Sequence, residues 1–359
     1  MKRILSLLFA FLFVLSLSSC SFLVGLGSSS EELTEPLDGR LRISYIDVGQ
    51  GDSTFIEFPN GKTMLIDAGL AEASDTVIAY VRGLGYSKID YLMATHPDGD
   101  HIGGMRDIVN TFEIGTVYMP DVDHSTTTYE RLLEAIDAKN IDVIEGKAGV
   151  SILAEENLTA KIIGPVGDDY DDVNSFSLIL RITYGNHSFL FLGDASKENE
   201  RELTGDYSAD VVKVGHHGST TSSDATFVRN THAKYAIISV GANNRYNHPK
   251  QAVLDLWNGI GATILRTDLE GTIVALSDGV TLQVNDEQTV IGDKVEVPPN
   301  EDAANIPTYL LNTSSKKIHT VDCKTAAQMS PANRAETFLT MAELLADGYT
   351  ACGNCDPAE

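Results

Sequence analysis

The chain has 359 residues, of which 43% are hydrophobic and 21% charged, a composition ordinary for a soluble globular protein. Its 51 acidic residues outnumber its 26 Lys and Arg residues, which gives a formal net charge of −25. This balance argues against a broad basic face that grips duplex DNA by its backbone. It does not exclude catalysis on a phosphodiester, because bound metal ions supply positive charge locally.

The N-terminus carries the features of an export signal. Lys2 and Arg3 precede an apolar run over residues 4–17, which is too short for a membrane span and fits the h-region of a secretory signal. Small residues before Cys20 resemble the lipobox of bacterial lipoproteins, in which the Cys is lipid-modified. We therefore predict a signal peptide over residues 1–20 and a tether over 21–39, with the rest exported and lipid-anchored at Cys20 on the outer face of the bacterial cell membrane, or secreted. The alternative is an uncleaved anchor that happens to contain a Cys.

Strands and helices alternate along the following residues. This segment of about 250 residues has the length of one large domain. Strands are predicted at 41–48, 53–58, 62–67 and 89–95, with a hairpin turn at 59–61, and helices at 75–84 and 129–138. Further strands are predicted at 177–184, 188–192, 211–214, 235–240, 263–265 and 272–276. The pattern indicates layered α/β architecture with mixed sheets. We assign residues 40–285 to one domain, 286–307 to a linker rich in Asp, Glu, Pro and Asn, and 308–359 to a small separate unit.

The segment over residues 95–104 is dense in metal-ligand types. His96, Asp98, Asp100 and His101 follow a buried strand and precede a helix start, so their side chains can converge on one point. Imidazole and carboxylate form the ligand set of hydrolytic zinc or manganese sites, where bound water ionises near neutral pH and becomes a nucleophile. The alternative is a polar surface loop.

This segment resembles the His-x-His-x-Asp-His signature of metallo-β-lactamase-fold hydrolases, with Asp98 in place of the second His. Together with Asp-Val-Gly-Gln-Gly-Asp-Ser at 47–53, it resembles the ComEC/Rec2 subgroup of DNA-uptake proteins. The resemblance continues in order over about residues 40–285, through motifs at 65–69, 174–178, 191–194, 213–219 and 246–249. It implies a four-layer αββα metallo-β-lactamase sandwich. The uptake proteins of this group carry a hydrophobic channel region. The only long apolar run of this sequence is the N-terminal one, so transport is not expected.

The resemblance also implies roles for individual ligands. His96 and Asp98 would hold a first divalent ion, and Asp100 and His101 a second. Asp194 would bridge the two ions. The second site would be completed by one of three further histidines: His216, His217 or His248.

Other residues would support these ligands. Asp67 would orient a ligand His, and Asp52 would likewise contact the ligand residues rather than the metal ions. Asn174 stands near the place where the family has a third His ligand to the first metal. This departure favours an incompletely occupied first site or a harder ion such as Mn²⁺.

Lys213 is the third catalytic candidate beside Asp100 and Asn174. It lies in the otherwise apolar run 210–214, and a buried Lys is costly unless it is paired. It could contact Asp194 or a substrate phosphate. The alternative is an outward-facing Lys on a half-exposed strand.

These residues together predict a hydrolase with two divalent metal ions, Zn or Mn. The expected activity is that of a phosphodiesterase or nuclease on extracellular DNA, including single-stranded DNA, or on nucleotides, by attack of a metal-bound hydroxide. The alternatives are hydrolysis of a thioester, a lactone or an envelope phosphoester, and a non-catalytic binding lipoprotein with a degenerate site. The sequence leaves the oligomeric state open.

The C-terminal unit has its own ligand pattern. His319 and Cys323 form one close pair, and Cys352 and Cys355 another. With Cys20 used by the lipid, three Cys and one His complete a structural zinc shell. The alternative is one disulfide with a free thiol. A helix is predicted over 333–346, and the unit resembles the metal-binding module of the Ada DNA-repair protein. Its two possible roles are to bind nucleic acid or to stabilise the end of the chain.

Overall fold

The computed structural model describes residues 37–285, 287–290, 309–320, 323–327, 329–330, 333–337, 344–345, 348–353 and 355. The predicted signal peptide, Cys20 and most of both the tether and the linker lie outside these residues. Within the described ranges, no helix has both the length and the apolar character that a membrane crossing requires.

The first sheet contains nine strands among the described residues. Their spatial order is β16 (Glu287–Val290), β15 (Thr281–Val284), β14 (Ile273–Ser277), β1 (Leu41–Tyr45), β2 (Thr54–Glu57), β3 (Thr63–Ile66), β4 (Lys88–Met93), β5 (Glu113–Met119) and β6 (Asp142–Glu145). Neighbours from β3 to β6 are parallel, and the other pairs are antiparallel. β2 and β3 form the predicted hairpin, in which Gly61 takes a φ of +81°. β16 continues the sheet beyond residue 285.

The second sheet contains seven strands in the described part of the chain. Their order is β13 (Thr263–Arg266), β12 (Tyr235–Ile238), β11 (Val211–Lys213), β10 (His187–Phe191), β9 (Ile179–Tyr184), β8 (Leu158–Gly164) and β7 (Ser151–Ala154). Strands β10 to β13 are parallel neighbours, whereas β7 to β10 are antiparallel.

Helices cover the outer faces of both sheets. They are α1 (Ser74–Gly83), α2 (Gly99–Ile102), α3 (Met105–Thr111), α4 (Thr127–Ala138), α5 (Lys197–Glu202), α6 (Ala225–Thr231), α7 (Gln251–Gly259) and α8 (Thr267–Glu270). One apolar core joins the facing sides of the two sheets, where the rings of Tyr45 and Phe191 stack 6.0 Å apart. A second core packs α1, α3 and α4 on the first sheet, and a third packs α6 and α7 on the second. The predicted four-layer αββα sandwich is therefore confirmed.

This arrangement gathers loops at one edge of each sheet. Asp67 follows β3, the loop with His96 follows β4, Asp194 follows β10, and the His216–His217 pair follows β11. In open sheets, ligands bind beyond the carboxyl ends of parallel strands. The five chemistry-bearing side chains come from such ends.

The C-terminal unit forms a small sheet of its own. Its order is β19 (Arg334–Thr337), β17 (Tyr309–Asn312), β18 (Lys317–His319) and β20 (Thr350–Ala351), with the short helix α9 (Lys324–Ala327). The helix predicted over 333–346 is wrong at its start, because residues 334–337 pair with β17 as a strand, whereas residues 344–345 are helical. Phe338 and Met341 of that predicted helix lie outside the described residues, and Leu344 is buried.

Candidate active site

The metal-ligand segment forms a short loop and the helix α2. His96 and His101 are fully buried, and their ring centroids lie 4.2 Å apart. Asp98 and Asp100 are more open, with side chains 38% and 24% exposed. The Nε2 atom of His96 lies 3.7 Å from a carboxylate oxygen of Asp98. The two histidines therefore form the floor of the site, and the two carboxylates face its mouth.

Asp67 holds this floor in place. Its carboxylate accepts hydrogen bonds from the backbone N–H of Thr95 at 2.9 Å and from the Thr95 hydroxyl at 2.7 Å, and it lies 2.8 Å from Nδ1 of His101. The same hydroxyl lies 3.1 Å from Nδ1 of His96. A carboxylate at Nδ1 fixes the ring orientation and leaves Nε2 as the lone-pair nitrogen. The Nε2 atom of His101 is thereby aimed into the site.

Asp194 lies between the histidines. One of its oxygens is 3.2 Å from Nε2 of His101, and the other is 3.5 Å from Nε2 of His216 and 3.6 Å from Nε2 of His217. Its backbone N–H donates to the Ser177 hydroxyl at 3.0 Å. Asp194 thus has the central position that a bridging carboxylate requires.

The His216–His217 pair has an unusual backbone. Both residues are left-handed, with φ of 49° and 51°, which is uncommon for residues with a side chain. The two rings diverge as a result. Nδ1 of His217 lies 2.9 Å from the Ser239 carbonyl, and its Nε2 lies 3.3 Å from a carboxylate oxygen of Asp100. His216 instead lies 2.8 Å from the Thr221 hydroxyl through Nδ1.

His248 lies one ring farther from the centre. Its centroid is 5.8 Å from that of His216, and its Nδ1 is buried without a hydrogen-bond partner in the described residues. Of the three histidines proposed to complete the second site, His217 is therefore the one nearest Asp100 and His101.

The donor atoms of this site fit divalent metal ions. Buried atoms without a hydrogen-bond partner include Nε2 of His96, His101 and His217 and one oxygen of Asp194. Leaving such atoms unpaired is costly, so several that converge indicate a binding site. The donor atoms of His96, His101 and Asp194 lie within 4.8 Å of one another, as do those of Asp100, His101 and His217. Nitrogen and carboxylate donors suit Zn²⁺ and Mn²⁺.

Lys213 is buried beside this site and pairs with Asp52. Its ammonium forms an ion pair with the Asp52 carboxylate and donates to the Gly193 carbonyl at 3.3 Å. The outward-facing alternative is therefore wrong, since Lys213 is only 2% exposed. Within the described residues it forms no ion pair with Asp194. Asp52 in turn lies 3.3 Å from Nδ1 of His217.

Gly51 lets this loop approach the metal-ligand segment. A Cβ at Gly51 would lie 2.2 Å from the Asp100 carbonyl oxygen, and its φ is +123°, so only glycine fits. The N–H of Asp52 then donates to the same carbonyl at 3.1 Å. The 47–53 motif therefore serves to hold Asp52 and Asp100 side by side.

The charges of the site shift the pKa values of its groups. Burial opposes ionisation of Asp52, but Lys213 and His217 outweigh it and lower the Asp52 pKa. Burial likewise opposes protonation of His217, yet Asp194 and Asp52 raise its pKa to about 10. For His248, burial lowers the pKa to about 4. The carboxylates and cations of the centre thus stabilise each other in their ionised forms, whereas burial favours the neutral form of His248.

Asn174 lies in a 3₁₀ turn over Val173–Phe176. Its backbone N–H donates to Asp172 at 3.1 Å, and its side-chain oxygen is buried without a hydrogen-bond partner among the described residues. The following residues join the site, since the N–H of Leu178 donates to the Thr95 carbonyl at 2.9 Å. Asn174 is thereby tied to the loop of His96 through the backbone.

A cavity of about 510 Å³ lies beside the 47–53 loop. Its walls include Gln50, Asn244 and the acidic residues Asp47, Glu72 and Asp268. Nε2 of Gln50 is buried without a partner in the described part of the chain. The sequence analysis did not predict this cavity. The only signal for it was Gln50, a polar residue of the 47–53 motif to which no role was assigned.

The C-terminal cysteines and His319 come together. Their ligand atoms lie within 4.8 Å of one another, with Nδ1 of His319 3.3 Å from the Cys323 sulfur and 3.9 Å from the Cys355 sulfur. Cys323, Cys352 and Cys355 are free thiols. Although burial opposes ionisation, hydrogen bonds from Cys355 and His319 lower the Cys323 pKa to about 6. A thiolate at neutral pH is the form that binds metal.

The fold and the convergent His/Asp centre agree with a comparison against protein families. Residues 46–242 match the metallo-beta-lactamase superfamily model. The chain belongs to this superfamily, and it is a metal-dependent hydrolase of that class. This confirms the family, and the enzyme class, that the sequence motifs predict.

Its relatives include ComE operon protein 3 and a competence protein. The chain is 34% identical to ComE operon protein 3 of Bacillus subtilis over 64% of this chain and 32% of that protein. It is 28% identical to competence protein ComA of Neisseria gonorrhoeae over 64% and 31%, respectively. The chain therefore spans about a third of the length of these curated relatives. The metallo-beta-lactamase fold protein YhfI of Bacillus subtilis aligns with a TM-score of 0.39 and 14% identity over 65% of this chain and 97% of that chain.

Proposed function

We propose that the chain is a phosphodiesterase that cleaves single-stranded DNA or nucleotides outside the cytoplasm. The observation that carries the proposal is the pair of ligand sets, His96–His101–Asp194 and Asp100–His101–His217, which adjoin in one buried centre. Two neighbouring divalent ions, when bound, supply Lewis-acid chemistry that activates water and stabilises both the attacking and the leaving oxygen of a phosphodiester.

We assign the ligands of the two ions from these clusters together with the motif resemblance, which places His101 with the second ion. His96, Asp98 and Asp194 would hold the first ion, and Asp100, His101, His217 and Asp194 the second. Asp98 belongs to this proposal through its place beside His96, since its carboxylate lies at the mouth of the site.

The remaining residues would position and tune these ligands. Asp67 would keep Nε2 of His101 free to bind metal. Lys213 would keep Asp52 ionised, so that Asp52 can hold Nδ1 of His217. Lys213 would therefore act through Asp52 rather than on substrate. The unpartnered side-chain oxygen of Asn174 would be free to contact either an ion or the substrate.

The choice of a phosphodiester rests on the kind of relatives. One of the two curated relatives reported above is a competence protein by name, and the motif series resembles DNA-uptake proteins. The fold also hosts other ester hydrolyses, so fold alone does not set the substrate. A nucleic-acid substrate is the chemistry that the resemblance favours.

We further propose that the chain is exported and anchored through lipid on Cys20. This part of the proposal rests on the sequence of residues 1–20, which lie outside the described residues. In the C-terminal unit, we propose that His319, Cys323, Cys352 and Cys355 bind one structural zinc ion. Three thiols and one imidazole match a closed tetrahedral zinc shell.

The test uses the full chain in detergent, treated with Mn²⁺, Zn²⁺ or EDTA. Cleavage of a single-stranded oligonucleotide and of bis(p-nitrophenyl) phosphate is measured beside Asp100→Ala. We expect metal-dependent cleavage that Asp100→Ala abolishes. Two bound metal ions without phosphodiester cleavage would reassign the enzyme to another ester. Absence of bound metal would contradict the two-ion centre itself.

A further inference from the structure

The loop between β12 and α7 differs in charge from the rest of the chain. Residues 241–250 include Arg245 and Lys250 but no acidic residue, on a chain with a net charge of −25. No described carboxylate forms an ion pair with either cation. Tyr246, between them, is 41% exposed. The loop therefore presents Arg245 and an aromatic ring to solvent, with the half-buried Lys250 close by.

These side chains form a stacked row that leads to the metal centre. The Arg245 guanidinium lies 4.8 Å from the ring centroid of Tyr246 and donates to its hydroxyl at 2.5 Å. The Tyr246 ring stacks on His248 at 5.7 Å with an interplanar angle of 22°. His248 adjoins His216, whose Nε2 is 3.5 Å from Asp194. The exposed end of the row is thus connected to the centre by successive ring contacts.

Lys250 fixes the backbone of this row. Its ammonium donates to the Tyr246 carbonyl at 2.7 Å, and its backbone N–H donates to the Gly218 carbonyl at 2.9 Å. Gly218 directly follows the His216–His217 pair. The row is therefore anchored to the same loop that carries the ligand histidines.

We propose that Arg245, Tyr246 and Lys250 form a docking ridge for an unpaired nucleobase and the phosphate next to the bond that is cleaved. The proposal rests on the phosphodiesterase function proposed above. An exposed aromatic ring beside a guanidinium is the arrangement that stacks single-stranded bases without reading their sequence. Bases in a duplex stack on one another and are not open to such a ring. The two cations would contact backbone phosphate on a protein that otherwise repels it.

Binding is the primary test, because it does not require hydrolysis. A short fluorescent oligothymidylate and its abasic counterpart are titrated into the full chain with Ca²⁺, and anisotropy is measured. We expect Tyr246→Ala to weaken binding of the oligothymidylate about ten-fold and leave binding of the abasic strand unchanged. Tyr246→Phe should retain binding, because it keeps the ring. Arg245→Ala should weaken both strands and reduce the salt dependence.

Lys88→Ala is the matched control for Arg245→Ala, since it removes one exposed cation at the start of β4, the opposite end of that strand from the site. Equal loss for the base-containing and abasic strands in Tyr246→Ala, or no loss at all, would overturn the ridge. So would failure of the unaltered chain to bind the oligothymidylate. If Tyr246→Ala does not fold, Tyr246→Leu replaces it.

The two proposals fail separately. If the unaltered chain binds the oligothymidylate through Tyr246 but cleaves no phosphodiester, the ridge is upheld as a binding site and the enzymatic function is wrong. If the chain cleaves bis(p-nitrophenyl) phosphate but Tyr246→Ala binds both strands like the unaltered chain, the phosphodiesterase is upheld and the ridge is not.

Discussion

Lys213 and Asp52 form an ion pair in the buried floor of the metal centre, with the two residues 2% and 5% exposed. Asp52 also faces Nδ1 of His217. A buried ion pair offers little net stability against an apolar pair, but removing one partner leaves an uncompensated charge. The pair therefore ties the integrity of the fold to the position of a candidate ligand.

Lys213→Met should destabilise the chain strongly for this reason. We expect a loss of about 3–5 kcal/mol in the free energy of unfolding, measured in urea, because Asp52 would remain buried and unpaired. The double variant with Asp52→Asn should recover part of the loss. Lys88→Met, which removes only surface ion pairs, should cost about 0–1 kcal/mol. Equal effects of the two single variants would contradict a buried pair.

Asp67→Asn tests the orientation of the ligand histidines. The Asp67 carboxylate accepts two hydrogen bonds from Thr95 and adjoins His101, so its loss should let the His101 ring turn. We expect affinity for Mn²⁺ or Zn²⁺ to fall by about 10–100-fold, measured by competition with a chelating indicator. Asp75→Asn, an exposed change on α1, is the control. Unchanged affinity in Asp67→Asn would show that this carboxylate does not orient a ligand.

Metal counting can decide whether His217 or His248 completes the second site. His217→Ala should lose one of two bound ions, because its Nε2 faces Asp100 and Asp194. His248→Ala should keep both. Elemental analysis after gel filtration gives the metal per chain, with the exposed His232→Ala as control. Loss of an ion in His248→Ala and not in His217→Ala would reverse the assignment.

Part of the fold is visible in the sequence because several strands are buried on both faces. β3 and β12 are entirely buried, and their apolar runs Met64-Leu65-Ile66 and Ala236-Ile237-Ile238 predict strands directly. β6 escaped prediction because all four of its residues are exposed at the edge of the sheet. The helix predicted at residue 333 was wrong because apolar spacing alone does not register that residues 334–337 pair with β17.

The site was only partly predictable for geometric reasons. The ligand-dense segment at His96 can be recognised in the sequence, because its residues are close together along the chain. The different directions of the His216 and His217 rings, on which the proposed choice of His217 rests, depend on two successive left-handed residues, which no composition signal specifies. The pairing of Lys213 with Asp52 joins distant segments and required the sheet order.

Glu200 should make stability depend on pH. Burial raises its pKa from 4.5 to about 8, although backbone N–H groups of Ser223 and Asp224 lower it in part. Since the folded-state pKa is raised, this contribution to stability is fully present below pH 4.5 and is lost as pH rises through about 8. The free energy of unfolding, measured in urea, should fall less between about pH 5 and about pH 8 for Glu200→Gln than for the unaltered chain. For Glu198→Gln, an exposed change on the same helix, the free energy of unfolding should fall as much as it does for the unaltered chain.

Zinc in the C-terminal unit should be separable from the hydrolytic metals. Cys352→Ser removes one of four ligands. Titration of the thiols with a mercurial should therefore release zinc from the unaltered chain but not from this variant, while cleavage of bis(p-nitrophenyl) phosphate persists. His217→Ala supplies the reciprocal control, because it should lose a metal of the hydrolytic centre and keep this zinc. A disulfide among the three cysteines would instead leave fewer titratable thiols and no releasable zinc in the unaltered chain. That result would remove the zinc assignment without touching the hydrolytic centre, since the two ligand sets share no residue.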